Sequence, residues 1–350
     1  MENGKRVTLL DIAKKTGVSK SAVSLALKGS RMISEKTRSK ILKAAMDMGY
    51  MRNELVSSMM SSVKKGGGGF LESIALVNGN ADEYICSYHP TLSKYCVGIK
   101  AEAKRLGYAV NEFWMHDANF RAESFSRALR TRGIRGGIIL GHSLDNVFPP
   151  EFSRIWEEFY FVSVGIKTYN PILEMVSTDH HAVTFQAANK AVELGFKRPA
   201  LIMEKYIDDI VDGRFVAGFI RAQMNFPAAD RIEPFMDSDS NPDYVKKLYA
   251  WIDANKPDAI LYLLDSTREI LADKPSTGRK RIQLIQLERR GYVPGWMGME
   301  QNNDVVGAVA MRRLADMLTR TSARIGENSN IFTLVPPTWV GKSSAKEKKV

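Results

Sequence analysis

Residues 18–29, VSKSAVSLALKG, bring several hydroxyls and amines together near the N-terminus. The segment holds two lysines and three serines, and it has no acid, histidine, cysteine or aromatic residue. No catalytic site can be built from these side chains. Lysine and serine can donate to phosphates and to base edges, so the composition predicts a surface that lies flush against a large polyanion.

Three short helices should position these residues. Thr8 and Asp11 make a capping pattern for the first helix, which Gly17 should end in a left-handed turn. Ser19 should cap a second helix and Ser34 a third. This spacing predicts a helix-turn-helix, in which the second helix enters the major groove with its N-terminus first.

Within that second helix, three side chains can read base edges. Lys20 can reach guanine acceptors, Ser21 can serve several bases, and Leu25, one turn later, can touch a thymine methyl. Helical hairpins with small crossing residues also occur in other settings, so the pattern alone leaves that alternative open.

The net charge of +11 is unevenly placed. Residues 1–65 contain 14 Lys and Arg against 5 Asp and Glu, whereas residues 66–340 contain 32 against 33. The tail, residues 341–350, adds four lysines and one glutamate. A basic head on a near-neutral body indicates a nucleic-acid-binding arm, although a solvated basic face is the alternative.

Several classes of protein are disfavoured. No apolar run approaches the length of a membrane helix and no signal peptide is visible, so we expect a cytoplasmic protein with no membrane partner. Cys86 and Cys96 should be free thiols, and no zinc spacing occurs. The GKS of residues 341–343 lacks the earlier glycine of a phosphate loop. We therefore expect neither an enzyme nor a cofactor.

From residue 70 onward, short apolar runs alternate with amphipathic stretches, which predicts an α/β fold with parallel sheets. The predicted strands are 73–78, 108–114, 136–141, 159–165, 199–204, 258–264 and 281–287. The predicted helices are 95–107, 121–133, 181–195, 212–223, 243–255 and 304–320. The length predicts two lobes with a cleft between them, where ligands sit beyond the carboxyl ends of strands.

Residues 7–27, VTLLDIAKKTGVSKSAVSLAL, then 33–50, ISEKTRSKILKAAMDMGY, and Asn53 resemble the head of the LacI/GalR family of bacterial transcription regulators. The remaining alternation is similar to that family's periplasmic-binding-protein-like core. The resemblance implies a helix-turn-helix head at 1–52, a hinge and linker at 53–69 and a two-lobed core at 70–340, which leaves the basic tail at 341–350.

The resemblance also implies roles for individual residues of the head. Lys20, Ser21 and Leu25 match base-reading positions, although arginine is common where Leu25 stands. The positions expected to contact phosphates or the DNA backbone are Thr8, Ser19, Ser24, Ser34, Lys36, Thr37 and Asn53. In the hinge, Met59 would wedge into the minor groove and Val56 would pack on the partner hinge. Arg52 replaces the usual proline, and a plain linker is the alternative.

In that family, two copies bind a near-palindromic operator and a small molecule binds between the lobes. The resemblance therefore implies a dimeric repressor that responds to an effector such as a sugar. The residues predicted to bind the effector are His142, Arg214, Asp265 and Glu288. Arg214 can instead be a structural ion pair, and the two acids can be helix caps or solvated loop residues. An architectural DNA-binding protein whose core only dimerises is the alternative function.

Overall fold

The computed structural model describes residues 9–27, 33–48, 72–118, 120–141, 146–238, 240–273, 282–290, 296–319 and 331–341. The chain divides into two compact units, Met1–Gly68 and Gly69–Val350, which are taken separately below. The predicted positions Thr8, Asn53, Val56, Met59 and His142 lie outside the described residues.

The first unit contains three helices, as the sequence predicts: α1 (Leu9–Thr16), α2 (Lys20–Leu27) and α3 (Glu35–Asp47). Gly17 ends α1 with a φ of +71°, and its amide donates to the Ala13 carbonyl at 2.9 Å. A residue with a side chain is strained at this φ, which explains the glycine.

One small apolar core joins the three helices of this unit. Its fully or almost fully buried members are Ile12, Ala13, Val23, Ala26, Ile41, Ala44 and Ala45. Ile33, just before α3, packs against this core and is partly buried. In α3, the side chains of Ile41 and Ala45 are buried in this core.

The second unit begins with a lobe built on a fully parallel sheet. Its strands, in spatial order, are β11 (Phe332–Val335), β5 (Glu174–Thr178), β4 (Tyr160–Val164), β3 (Gly136–Leu140), β1 (Glu72–Asn78) and β2 (Tyr108–Trp114). The helices between them are α4 (Ile85–Tyr88), α5 (Pro90–Leu106), α6 (Ala122–Thr131) and α7 (Ser153–Glu158). Apolar clusters cover both faces of the sheet.

The second lobe repeats this plan. Its strands, in spatial order, are β12 (Thr338–Val340), β10 (Gly298–Glu300), β9 (Gln283–Gln286), β8 (Ala259–Tyr262), β6 (Pro199–Met203) and β7 (Phe235–Met236). The helices are α8 (His180–Glu193), α9 (Lys205–Asp209), α10 (Arg214–Gln223), α11 (Tyr244–Asn255) and α12 (Asp265–Ala272). Only the pairing of β12 with β10 is antiparallel among the described strands.

The chain passes between the lobes three times, after β5, after β10 and after β11. The last long helix, α13 (Asn303–Thr319), returns to the first lobe and crosses α5 closely. Glycines allow this crossing, because a Cβ on Gly98 would lie 1.9 Å from the Asp304 carbonyl oxygen and one on Gly307 would lie 2.2 Å from that of Tyr95.

The predicted α/β fold with parallel sheets is confirmed, and each of the seven predicted strands overlaps an observed strand. All six predicted core helices also occur, with ends shifted by a few residues. The strands β5, β7, β10, β11 and β12 were not predicted. They are two to five residues long, and such short runs carry little periodicity. Among the described residues, none of the helices combines the length and apolar character that crossing a membrane requires.

Candidate nucleic-acid interface and ligand cleft

Helix α2 has one face buried in the head and the opposite face open. Val23 and Ala26 are buried, whereas Lys20 and Ser21 are exposed and Leu25 is half-exposed. The three residues predicted to read bases are therefore accessible on one short helix. Since no acid lies on α2, this face can approach a polyanion without like-charge repulsion.

Ser19 supplies the N-cap of α2. Its Oγ accepts a hydrogen bond from the Ala22 amide at 3.1 Å. That bond uses an oxygen lone pair and leaves the hydroxyl proton available to a phosphate oxygen. Capping and phosphate contact are thus compatible at this exposed residue.

Ser34 caps α3 in a similar way. Its Oγ accepts from the Thr37 amide at 3.3 Å and lies 2.8 Å from the Thr37 hydroxyl. The two hydroxyls share one hydrogen bond, so the pair retains one free O–H for a phosphate. Ser24 and Lys36 lie within helices, but their side chains are outside the described part of the structure.

In the second unit, Glu288 connects the two lobes. It follows β9, is 2% exposed, and accepts from Thr91 Oγ1 of the first lobe at 2.5 Å. Asn303 Nδ2 donates to the same oxygen at 2.8 Å, and Arg290 Nε donates to the other oxygen at 3.0 Å. Glu288 therefore holds a buried contact between the lobes in this structure.

Further polar contacts join the two lobes. Lys94 Nζ of α5 lies 3.0 Å from the Arg289 carbonyl oxygen and 3.3 Å from Glu300 Oε1. In addition, Asn146 Nδ2 donates to the Ile210 carbonyl at 3.3 Å, and the Tyr169 hydroxyl donates to Asp212. These bonds join the first lobe to the second.

Arg214 begins α10 and donates through Nε to the Val211 carbonyl at 2.7 Å. Its Nη2 is buried and makes no hydrogen bond. Burial lowers the pKa of the guanidinium, and the nearby carboxylates of Asp212 and Asp179 act in the opposite direction. An ion pair was the alternative role for Arg214, and the buried Nη2 has no such partner within hydrogen-bonding distance.

His180 lies beside Arg214 and was not among the residues predicted for the site. It is 5% exposed, its ring is 4.6 Å from that of Phe215, and its Nδ1 makes no hydrogen bond. Burial, reinforced by the Arg214 cation, lowers its pKa to about 3. The ring is therefore neutral near pH 7, and two buried nitrogens without partners lie in one region of the cleft.

Tyr95 is buried and lies within electrostatic range of both Arg214 and Glu288. Its hydroxyl hydrogen-bonds to Thr178, and burial together with the Glu288 carboxylate raises its pKa. Thr178 in turn donates to the Gln301 carbonyl at 3.1 Å. Tyr95 and Thr178 were not predicted as site residues, because only the fold brings them together.

Asp265 lies elsewhere in the second lobe. It is the first residue of α12, accepts from Gln286 Nε2 at 3.1 Å and lies 3.6 Å from Arg268. Its side chain is 42% exposed. Its contacts stay within its own lobe, whereas Arg214 and Glu288 both lie near Tyr95. No cluster of three or more potential metal ligands occurs among the described residues.

Comparison with known proteins agrees with this geometry. Residues 8–53 match the family model of bacterial regulatory proteins, lacI family. The regulator MalR of Streptococcus pneumoniae is 26% identical over 196 residues, which is 56% of each chain. The repressor CytR of Escherichia coli is 30% identical over 193 residues, 55% of this chain and 52% of CytR. The alignments thus span little more than half of these relatives.

Solved structures of this fold include a complex of the regulator CelR with cellobiose, at 18% identity and a TM-score of 0.56, covering 97% of this chain and all of that one. A lac repressor dimer bound to operator and an anti-inducer has 19% identity and a TM-score of 0.54, covering 97% and 99%. At these identities the likeness shows the shared fold alone.

Proposed function

We propose that this chain, a member of the LacI/GalR family of bacterial transcription regulators, is a sequence-specific repressor that binds operator DNA through its head. The observation that carries the proposal is the exposed face of α2, with Lys20, Ser21 and Leu25, inside the segment that matches the lacI family model. A single head offers few base contacts, so the active form is a cytoplasmic homodimer on a near-palindromic site.

The first test is selection of duplexes from a random DNA pool at low and at near-physiological salt. Phosphate binding collapses with salt, whereas base readout retains a sequence-dependent remainder. We expect a near-palindrome to survive at the higher salt. Binding that fades with no enriched sequence, with and without a panel of small molecules, contradicts the proposal.

Two variants separate base reading from phosphate contact. Lys20→Ala should relax base preference at one position of each half-site, at a cost of about 1–3 kcal/mol on the preferred base. Lys36→Ala should weaken all sequences about equally and reduce the salt slope by about one. If both variants weaken binding uniformly, the assignment of α2 to the major groove is wrong.

The proposal includes a small-molecule effector, a sugar or related metabolite, bound between the lobes. Support comes from the unpartnered buried nitrogens of Arg214 and His180, because such atoms are costly unless a ligand or water satisfies them. Arg214 is the central contact, and His142, Asp265 and Glu288 are the other proposed residues. CelR, which shares the fold, was solved with cellobiose.

Thermal melting with a panel of sugars, nucleosides and related acids tests the effector. A true effector at one hundred times its Kd should stabilise the core by about 2.7 kcal/mol, and Arg214→Ala should reduce that shift at the same ligand concentration. The architectural alternative predicts a different outcome. In that case no small molecule would stabilise the protein or alter its affinity for operator DNA.

A further inference from the structure

The chain has two cysteines among 350 residues, and the fold brings them into contact. Cys86 lies on α4 and Cys96 on the second turn of α5, where both join the same apolar cluster. The two thiols hydrogen-bond to one another, and neither is part of a disulfide. Ten positions separate them in sequence, so α4 has folded back onto α5 to make this contact.

The two thiols are not equivalent. Cys86 is half-buried and therefore open to a small reagent, whereas Cys96 is 7% exposed. The hydrogen bond from Cys96 lowers the pKa of the Cys86 thiol, and the same bond raises that of Cys96. The charged groups around the pair are Lys100, which favours thiolate, and Glu112 and Asp82, which oppose it. Cys86 is thus the better nucleophile and Cys96 the better resolving thiol.

We propose that Cys86 and Cys96 form a peroxide-sensitive dithiol that closes to an intramolecular disulfide. The Cys86 thiolate sulfur attacks one oxygen of the peroxide, an S–O bond forms, the O–O bond breaks, and hydroxide leaves and takes a proton to become water. The Cys96 sulfur then attacks the sulfur of the sulfenic acid. The S–S bond forms, the S–O bond breaks, and the departing hydroxide takes the Cys96 proton as a second water.

In this sequence the two thiols lose two electrons and two protons, and one hydrogen peroxide is reduced to two waters. A dithiol restores the reduced form by exchange. The pair therefore remains reduced in a reducing compartment and reports a rise in peroxide.

The disulfide would tie two segments that meet at the cleft. The loop before α4 is held to the end of β1 by Asn78, which donates to the Asp82 carbonyl at 2.9 Å. Helix α5 begins at the cleft, where Thr91 donates to Glu288 of the second lobe. Oxidation thus fixes the first lobe's cleft edge to the helix that contacts the second lobe.

The test uses the reduced full-length protein, freed of reductant, treated with a small excess of hydrogen peroxide and then with N-ethylmaleimide. Intact mass should show a loss of two hydrogens and no maleimide adduct. Dithiothreitol given before the maleimide should restore two adducts, and peptide mapping should join Cys86 to Cys96 within one chain. Two adducts after a peroxide dose that oxidises a model thiol, or an interchain disulfide, overturn the proposal.

Variants test the asymmetry with matched controls. Cys96→Ser keeps a hydrogen-bond donor beside Cys86, so dimedone should trap the sulfenic acid on Cys86. Cys96→Ala removes the donor and should react more slowly, by about threefold for each unit that the thiol pKa rises, because the stronger nucleophilicity of the remaining thiolate partly offsets its lower fraction. Cys86→Ser leaves the buried thiol, which should react slowest. Equal dimedone labelling of Cys86→Ser and Cys96→Ser overturns the assignment of Cys86 as the attacking residue.

Discussion

Acidification should weaken the core through His180. This ring is 5% exposed, and burial beside the Arg214 cation lowers its pKa to about 3 from an ordinary value of 6.5. In the unfolded chain the ring is solvated and takes a proton as the pH falls through about 6.5. The folded chain does not take that proton until about pH 3, so the unfolded state binds more protons throughout the interval.

The expected size of the effect follows from these two pKa values. Wherever the unfolded state holds more protons, the free energy of unfolding decreases as the pH is lowered. For one group the decrease is at most about 1.4 kcal/mol per pH unit. Between about pH 7 and about pH 5 the unfolded ring becomes almost fully protonated, so the core should lose about 2 kcal/mol from His180 alone. The loss begins near the unfolded pKa and levels off only below about pH 3.

Urea unfolding followed by tryptophan fluorescence measures this loss. All five tryptophans lie beyond residue 110, so the signal reports the core and not the head. Wild type and His180→Asn are each unfolded at both pH values. The loss of unfolding free energy between the two pH values is then compared for the two proteins. Other titrating groups contribute to both proteins and cancel in this comparison.

His181→Asn is the matched control, because it removes the neighbouring imidazole, which stacks on Phe185 at 5.8 Å, and leaves His180 in place. This control should retain the wild-type loss, whereas His180→Asn should lose about 2 kcal/mol less than wild type between the two pH values. Equal losses in His180→Asn and wild type would refute the reasoning and would mean that the ring takes its proton in the folded core.

Two stability predictions concern the elements that position the sites. Ser19→Ala removes the cap of α2 and should cost the head about 1 kcal/mol, measured by helical circular dichroism during unfolding; an unchanged midpoint would contradict the capping role. Gly307→Ala places a Cβ 2.2 Å from the Tyr95 carbonyl oxygen and should destabilise the core by at least about 1–3 kcal/mol in urea, because α5 and α13 must separate. A cost near zero would show that the two helices tolerate a wider crossing.

The head could be predicted from sequence because its determinants are local. The left-handed turn at Gly17 and the cap at Ser19 each depend on neighbours within four residues. The buried face of α3 follows from helical periodicity in the same way. Local rules of capping and periodicity therefore predict the three helices and the exposed face of α2.

The cleft could be predicted only in part, because distant segments build it. Tyr95 and Thr178 come from different elements of the first lobe, and Glu288 follows a strand of the second. Strand ends and family positions led to Arg214 and Glu288. Strand ends and family positions could not show that Thr91 would be hydrogen-bonded to Glu288, or that His180 would be buried beside Arg214. Such facts depend on tertiary packing and leave no periodic trace in the sequence.

If the proposed effector binds here, the contacts of these side chains determine how it would act. A ligand that meets Arg214 and His180 satisfies buried atoms without breaking a bond between protein groups, so it should favour the closed arrangement. A ligand that uses Glu288 must displace Thr91, Asn303 or Arg290, so it should favour separation of the lobes. The direction of the conformational response therefore depends on which residue the ligand engages, since a ligand shifts an equilibrium only by its differential affinity.

Two variants distinguish these modes once an effector is found. Arg214→Ala should weaken its binding by about 1.5–3 kcal/mol, the range for a hydrogen bond to a charged group. Glu288→Gln keeps the shape but weakens the contact with Thr91 and Arg290, so it favours separated lobes. Binding through Arg214 should then become weaker in Glu288→Gln, because closing the lobes costs more, whereas a ligand that must break this contact should bind more tightly. Calorimetry on the two variants distinguishes these two modes of binding. Binding that is tighter to Glu288→Gln than to wild type would refute a ligand that favours the closed arrangement through Arg214.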